Sequence, residues 1–132
     1  MTMRLDKELL RAVEGYHGGE GTARYRRALE PSVFLTNWSY MDHLLLPPDA
    51  SEGLHRHAGI EEIYYVLNGD GQAQVNGETA EIHKGDAVPV LLNEAHSFRN
   101  NGSQDLEFMI IGIAREKDVL DTVLGSRSDL EH

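Results

Sequence analysis

The sequence predicts an all-β protein, a sandwich or barrel of short strands, on three observations. From Thr22 onward, short runs of β-forming residues alternate with turn residues at intervals of roughly eight to twelve positions. Asn76-Gly77 lies between two such runs, the strongest short-range hairpin signal in the chain. Helical periodicity is confined to the two ends.

Taken in order, Leu5, Leu9, Leu10 and Val13 are spaced for one face of a short N-terminal helix over Arg4–Val13, with Asp6 near its start. Gly15-Tyr16-His17-Gly18-Gly19-Glu20-Gly21 follows as a loop. With no strand before it and no Gly-Lys-Ser/Thr after it, it is a connection rather than a phosphate cradle, although Tyr16 and His17 could form a lid over a site. Strands are predicted over Thr22–Leu29 and Phe34–Leu46, the second ending at Pro47-Pro48-Asp49. Glu62–Leu67 is rich in β-formers and closes at Asn68-Gly69-Asp70-Gly71. Gly71–Val75 and Glu78–Ile82 flank the Asn76-Gly77 turn, and Lys84-Gly85-Asp86 makes another. Ala87–Leu92, His96–Arg99 and Leu106–Ile113 complete the set. Val119, Leu120, Val123 and Leu124 are spaced for a C-terminal helix over Arg115–Leu124.

The 132 residues suit one domain, with 40% hydrophobic and 26% charged residues as in ordinary globular proteins. A net charge of −10 would be repelled by a phosphate backbone, which argues against nucleic acid as a partner. Without cysteine there is neither a disulfide framework nor a thiolate metal ligand. No apolar run reaches membrane-spanning length, and the N-terminus lacks the apolar core of a secretory signal, so the expected location is the cytoplasm. Leu130-Glu131-His132 resembles a tag remnant and is set aside.

His55 and His57 are two apart, so on an extended strand both imidazoles leave one face. Glu61 and Glu62 supply a carboxylate a few residues later, and His96 a third imidazole on a later strand. Three neutral imidazoles and one carboxylate suit a divalent first-row metal: Fe, Mn, Ni, Co, Cu or Zn.

From His55 to Asn100 the spacing resembles that of the cupin superfamily. His55-Arg56-His57, a four-residue gap to Glu62 and a six-residue gap to Gly69 fit its first motif, and Gly85, His96 and Asn100 fit the second. Asp49 replaces the first motif's opening glycine, while Leu91 and Asn93 replace a proline and a glycine of the second. Asp and Asn tolerate positive φ, so those turns can survive.

The resemblance implies a double-stranded β-helix, a jelly-roll-like barrel with its core over about residues 34–114, and one divalent metal per chain held by His55, His57, Glu62 and His96. It also implies a homodimer. Glu61 competes with Glu62, but the spacing to Gly69 selects Glu62, and alternation places Glu62 and Tyr64 on one face with Glu61 and Tyr65 on the other.

Tyr64 is then the leading acid–base candidate, in a setting similar to that of cupin lyases acting on a sulfonium substrate, although an aromatic here also serves barrel packing. His43 is a second catalytic candidate; its strand can turn either Trp38, Tyr40 and Asp42 or Met41 and His43 toward a pocket. Phe98 shares the face of His96. Arg24 and Arg26 could clamp a carboxylate or guard an edge strand. With one carboxylate ligand the centre keeps a charge near +1, which suits a small polar or anionic substrate. The expected function is a metal-dependent enzyme, with dioxygenase chemistry ahead of isomerase or lyase. Its rivals are a non-catalytic ligand-binding or sensing cupin and a metal-free sugar-binding one.

Overall fold

The computed structural model describes residues 2–117 and the backbone of Val123–Gly125. Eleven strands run β1 Arg11–Glu14, β2 Thr22–Leu29, β3 Trp38–Leu46, β4 Ser51–His57, β5 Ile60–Asn68, β6 Asp70–Val75, β7 Glu78–His83, β8 Ala87–Val90, β9 His96–Arg99, β10 Leu106–Ala114 and β11 Val123–Gly125. They form a six-stranded sheet in the order β1-β2-β3-β10-β5-β8 and a five-stranded sheet in the order β11-β4-β9-β6-β7, with every pairing antiparallel.

Period-2 alternation sorts side chains between the inside and outside of this double layer. Leu44 and Leu46 of β3, Val66 of β5, Phe98 of β9, and Leu106, Phe108 and Ile110 of β10 fill the interior. Tyr64 stacks on Phe98 at 4.0 Å and meets Phe108 edge-on at 5.6 Å, an aromatic floor beneath one end of the barrel.

The turns follow their residue chemistry. Asn76 and Gly77, with φ of 51° and 85°, connect Val75 to Glu78 in a two-residue hairpin. Asp49 and Asn93, standing where the motifs have glycine, adopt φ of 70° and 64°. Asn100 is buried: its amide donates to the carbonyls of Leu46 and Gln104 at 2.8 and 2.6 Å, and its Oδ1 accepts from Gly102 N–H, tying β3 to the β9–β10 turn.

Two expectations change at the ends. Arg4–Val13 is not a helix: a single 3₁₀ turn, Lys7–Leu9, is capped by Asp6, and Arg11–Glu14 pairs with β2. So short a helix is marginal in isolation, whereas the ladder to β2 supplies tertiary hydrogen bonds. At the C-terminus, Val119 and Leu120 of the expected helix lie outside the described residues, and Val123–Gly125 is a strand paired with β4 instead.

The outer face of the six-stranded sheet carries two apolar rows. Met41, Ile111, Ile63 and Pro89 are aligned across β3, β10, β5 and β8, and Met109, Tyr65 and Ala87 lie in the next row. Ile63 and Tyr65 are each 37% exposed.

Phe108→Ala should cost about 3–5 kcal/mol, because it opens a cavity under the aromatic floor. Chemical denaturation measures this as a lower midpoint at unchanged slope.

Candidate metal centre

β4, β5 and β9 converge at the open end of the barrel. β4 supplies His55 and His57, β5 supplies Glu62 opposite them, and β9 supplies His96, which pairs with His55 in register. All four side chains are buried, and one donor atom from each lies within 4.8 Å of the others. His57 Nε2 is 3.0 Å and His96 Nε2 3.4 Å from Glu62 Oε1.

The surrounding bonds fix which atoms face inward. His55 Nδ1 donates to the Gly53 carbonyl at 2.8 Å and His96 Nδ1 to the Glu94 carbonyl at 3.0 Å. A carbonyl only accepts, so each Nδ1 carries a proton and each Nε2 is left to face the centre. Tyr40 donates to Glu62 Oε2 at 2.5 Å, which turns Oε1 toward the imidazoles. His55 Nε2, His96 Nε2 and Glu62 Oε1 are buried without a hydrogen-bond partner among the described residues. Such orphaned acceptors are costly in a core, and a cation satisfies all of them at once.

Burial, with His17 and His96 close by, pulls His55 down to about 2, so it is a neutral imidazole. Burial pushes the Glu62 carboxyl up, but His57, His96 and Tyr40 outweigh it and hold it well below the usual range. Burial pulls His96 down, yet Glu62 and Glu52 raise it above its ordinary value. A cation must therefore compete with a proton for His96.

A cavity of about 210 Å³ opens above this cluster. Besides His55, His57 and Glu62 it is lined by Tyr16, His17, Tyr25, Arg27, Tyr40, Asp42, Glu52 and Tyr64. Arg27 donates to both Asp42 oxygens at 2.9 and 3.2 Å and lies 3.9 Å over the Tyr40 ring, while Tyr25 donates to Asp42 at 2.8 Å. Tyr64 donates to the Glu52 oxygens at 2.8 and 2.9 Å. Burial and the Glu52 carboxyl hold Tyr64 well above its ordinary value, which makes it a proton-bearing phenol rather than a tyrosinate.

His43 is elsewhere. On β3 Tyr40 and Asp42 face the cavity, so His43 points to the outer face, fully buried, with Nε2 2.5 Å from Glu107 Oε2. The expectation that it serves the site does not match this position. Arg24 and Arg26 are on the outer face as well, donating to the backbone of Lys7 and Arg4, and the guanidinium at the cavity is that of Arg27.

Glu52 was not among the expected site residues. It is three positions before His55, which simple alternation sends to the opposite face. One extra residue intervenes: Glu52 pairs with Phe98 and His55 with His96, so three steps on β4 match two on β9. That bulge turns both side chains inward. Gly53, just after Glu52, lies so close to the Tyr16–His17 loop that a Cβ on it would sit 2.2 Å from the His17 carbonyl oxygen.

Residues 42–112 match the family model described as a cupin domain, more than half of the chain. The chain therefore belongs to the cupin family. It is 32% identical to an oxalate-binding protein of Thermotoga maritima, over 84% of this chain and 92% of that protein. It also superposes on the crystal structure of a predicted oxalate decarboxylase from Thermotoga maritima with a TM-score of 0.80 and 32% identity, covering 86% of this chain and 99% of that one. A polyketide cyclase from Streptomyces resistomycificus shares the fold at 22% identity, with a TM-score of 0.69 over 99% of this chain and 92% of its own.

Glu52 should also give the metal-free protein a pH dependence. Burial pushes its carboxyl up to about 8 from an ordinary 4.5. Across that window the folded state holds a proton that the unfolded state has released, so stability falls as pH rises from about 5 to about 8. Glu52→Gln should flatten this slope, read as the thermal midpoint against pH.

Proposed function

We propose that this chain is a mononuclear metal-dependent enzyme in which His55, His57, Glu62 and His96 hold one divalent ion of Fe, Mn, Ni, Co, Cu or Zn. The observation that carries the reading is the convergence of orphaned Nε2 and Oε1 atoms on one buried point. When bound, such an ion supplies Lewis acidity and, where redox-active, the capacity for dioxygen chemistry.

The chain's own residues do the rest. Tyr40 orients Glu62, and the Gly53 and Glu94 carbonyls orient two of the imidazoles. Tyr64 and Glu52 stand beside the centre as a proton-bearing pair able to donate to or accept from a ligand. The small cavity suits a metabolite a few carbons long that bears a carboxylate, and the oxalate-binding relative supports a small anion. An ion preferring six donors would accept two more beside these four side chains, which supports dioxygenation ahead of isomerase or lyase chemistry. That relative's name supports a second reading, a cupin that binds a small anion without turning it over.

We also propose a homodimer. On β10, β5 and β8 the two apolar rows of the outer sheet face carry no charged residue, the second being continued by His43 on β3 and Arg26 on β2, whereas the chain carries −10 overall. A patch of this kind is seldom left to water, and a second copy covers it with self-complementary contacts at a place free of like-charge repulsion. Among the described residues no helix is long and apolar enough to cross a membrane. A chain without cysteine fits the reducing cytoplasm that we take as its location.

Elemental analysis of protein purified without added metal should give near one equivalent of one of these ions per chain. His57→Ala should lose it with the barrel still folded by circular dichroism. Tyr64→Phe should keep the metal and slow turnover by about 10²–10⁴; an unchanged rate assigns Tyr64 to packing. An empty site that refuses added metal ends the enzyme reading. For the dimer, sedimentation should show two chains per particle, and Ile63→Lys should yield folded monomer.

A further inference from the structure

Four tyrosines line the cavity, Tyr16, Tyr25, Tyr40 and Tyr64, together with three carboxyl groups, Asp42, Glu52 and Glu62. Each of these carboxyl groups is met by one phenol. Tyr25 donates to Asp42 at 2.8 Å, Tyr40 to Glu62 at 2.5 Å, and Tyr64 to Glu52 at 2.8 and 2.9 Å. Tyr16 is left over: its hydroxyl has no hydrogen-bond partner among the described residues.

Tyr16 is held at the cavity by packing and not by that hydroxyl. Its ring lies 4.2 Å from His17 and 5.4 Å from Tyr25, and His17 stacks on His55 at 4.1 Å, so a row of rings runs from the loop to the imidazole cluster. The loop is closed at its base, where Gly15 N–H donates to the Gly21 carbonyl at 2.9 Å. A Cβ on Gly19 would lie 2.0 Å from the Ser51 carbonyl oxygen, so the loop's backbone is seated on β4 with no room for a side chain there. His17 adopts φ 51° and ψ 33°, a left-handed conformation unfavourable for a residue with a Cβ. Strain kept beside a cavity points to a use for the rings that the loop turns toward it.

Burial holds the Tyr16 phenol well above its ordinary value, so the hydroxyl keeps its proton and is available as a donor. A phenol donates to any oxygen acceptor, but the other three phenols of this cavity all donate to carboxyl oxygens. A charged acceptor also gives a hydrogen bond about twice as strong as a neutral one.

We propose that Tyr16 anchors the ligand by donating a hydrogen bond to an oxygen of its carboxylate, and so separates carboxylates from other small chelating anions. The proposal rests on the reading above of a site for a small carboxylate beside a metal.

The test compares the full chain with Tyr16→Phe, which keeps the ring and removes only the hydroxyl. Both proteins are stripped with a chelator and reloaded with one equivalent of Co²⁺, and metal uptake is measured first. Oxalate and acetohydroxamate are then titrated by calorimetry. Both chelate through oxygen, but acetohydroxamate has no carboxylate. Tyr16→Phe should weaken oxalate by about tenfold to a hundredfold, as expected for a lost hydrogen bond to a charged group. Acetohydroxamate affinity, Co²⁺ uptake and the thermal midpoint should not change.

Equal oxalate affinity in the two proteins overturns the proposal. Parallel losses for oxalate and acetohydroxamate also overturn it, since the substitution has then disturbed the cavity and not a carboxylate contact. A lower thermal midpoint or lost Co²⁺ uptake in Tyr16→Phe makes Tyr16 a structural residue and overturns it too. If the unmodified protein takes up Co²⁺ but binds no oxalate, the anchor falls and the metal site stands. If it takes up no Co²⁺, the metal reading falls, and the same titrations are run on the metal-free proteins. There an oxalate-only loss in Tyr16→Phe sustains the anchor, and any other result overturns it.

Discussion

One extra residue in β4 organises this end of the barrel. Between Glu52 and His55 the strand takes three steps while its neighbour β9 takes two, and the resulting bulge brings a carboxylate and two histidines to the same face. The bulge also brings Gly53 against the backbone of the loop that carries Tyr16 and His17, at a separation no side chain would permit. A regular strand would send Glu52 to solvent and leave the loop without its seat. The buried carboxyl beside the imidazole cluster and the seat of the loop above are thus consequences of one irregularity, a common use of bulges beside functional sites.

Concentrating so many polar groups in a barrel interior opposes folding, because each loses its hydration. The chain offsets this locally. Nδ1 atoms reach backbone carbonyls, Tyr40 and Tyr64 each donate to a carboxylate, and Arg27 and Tyr25 hold Asp42. Apart from His43 Nδ1 on the outer face, Glu62 Oε1 and the Nε2 atoms of His55 and His96 are left unsatisfied around one point. Beneath it, Tyr64, Phe98 and Phe108 form a rigid apolar floor, so the polar groups are braced by packing as well as by their own bonds.

Much of this was legible in the sequence, for reasons that can be traced residue by residue. His55 and His57 obey strand alternation, His55 pairs in register with His96, and Glu62 lies within reach of all three, so linear spacing translated directly into proximity. Asp49 and Asn93 could be trusted in glycine positions because their side chains tolerate positive φ, and both adopt it. Glu52 was hidden because a bulge breaks the period of two on which the reading relied. His43 and Asp42 are adjacent, and only the neighbouring strands decide which of them faces inward. The N-terminal apolar spacing fitted a helix, but pairing with β2 is a tertiary gain that local periodicity does not register.

The cavity's two halves differ in how far the family motif fixes them. The imidazoles and Glu62 define what the site holds on one side, and that half follows the family motif. The other half comes from Tyr16, His17, Tyr25, Arg27, Asp42 and Glu52, drawn from the N-terminal loop, β2, β3 and the bulge, none of which lies within the motif's fixed positions. Because Arg27 is engaged by Asp42, the wall opposite the imidazoles presents carboxyl and phenol groups rather than an open guanidinium. The half that follows the motif supplies the candidate metal donors, and the other half sets the polarity that a ligand's far end must match.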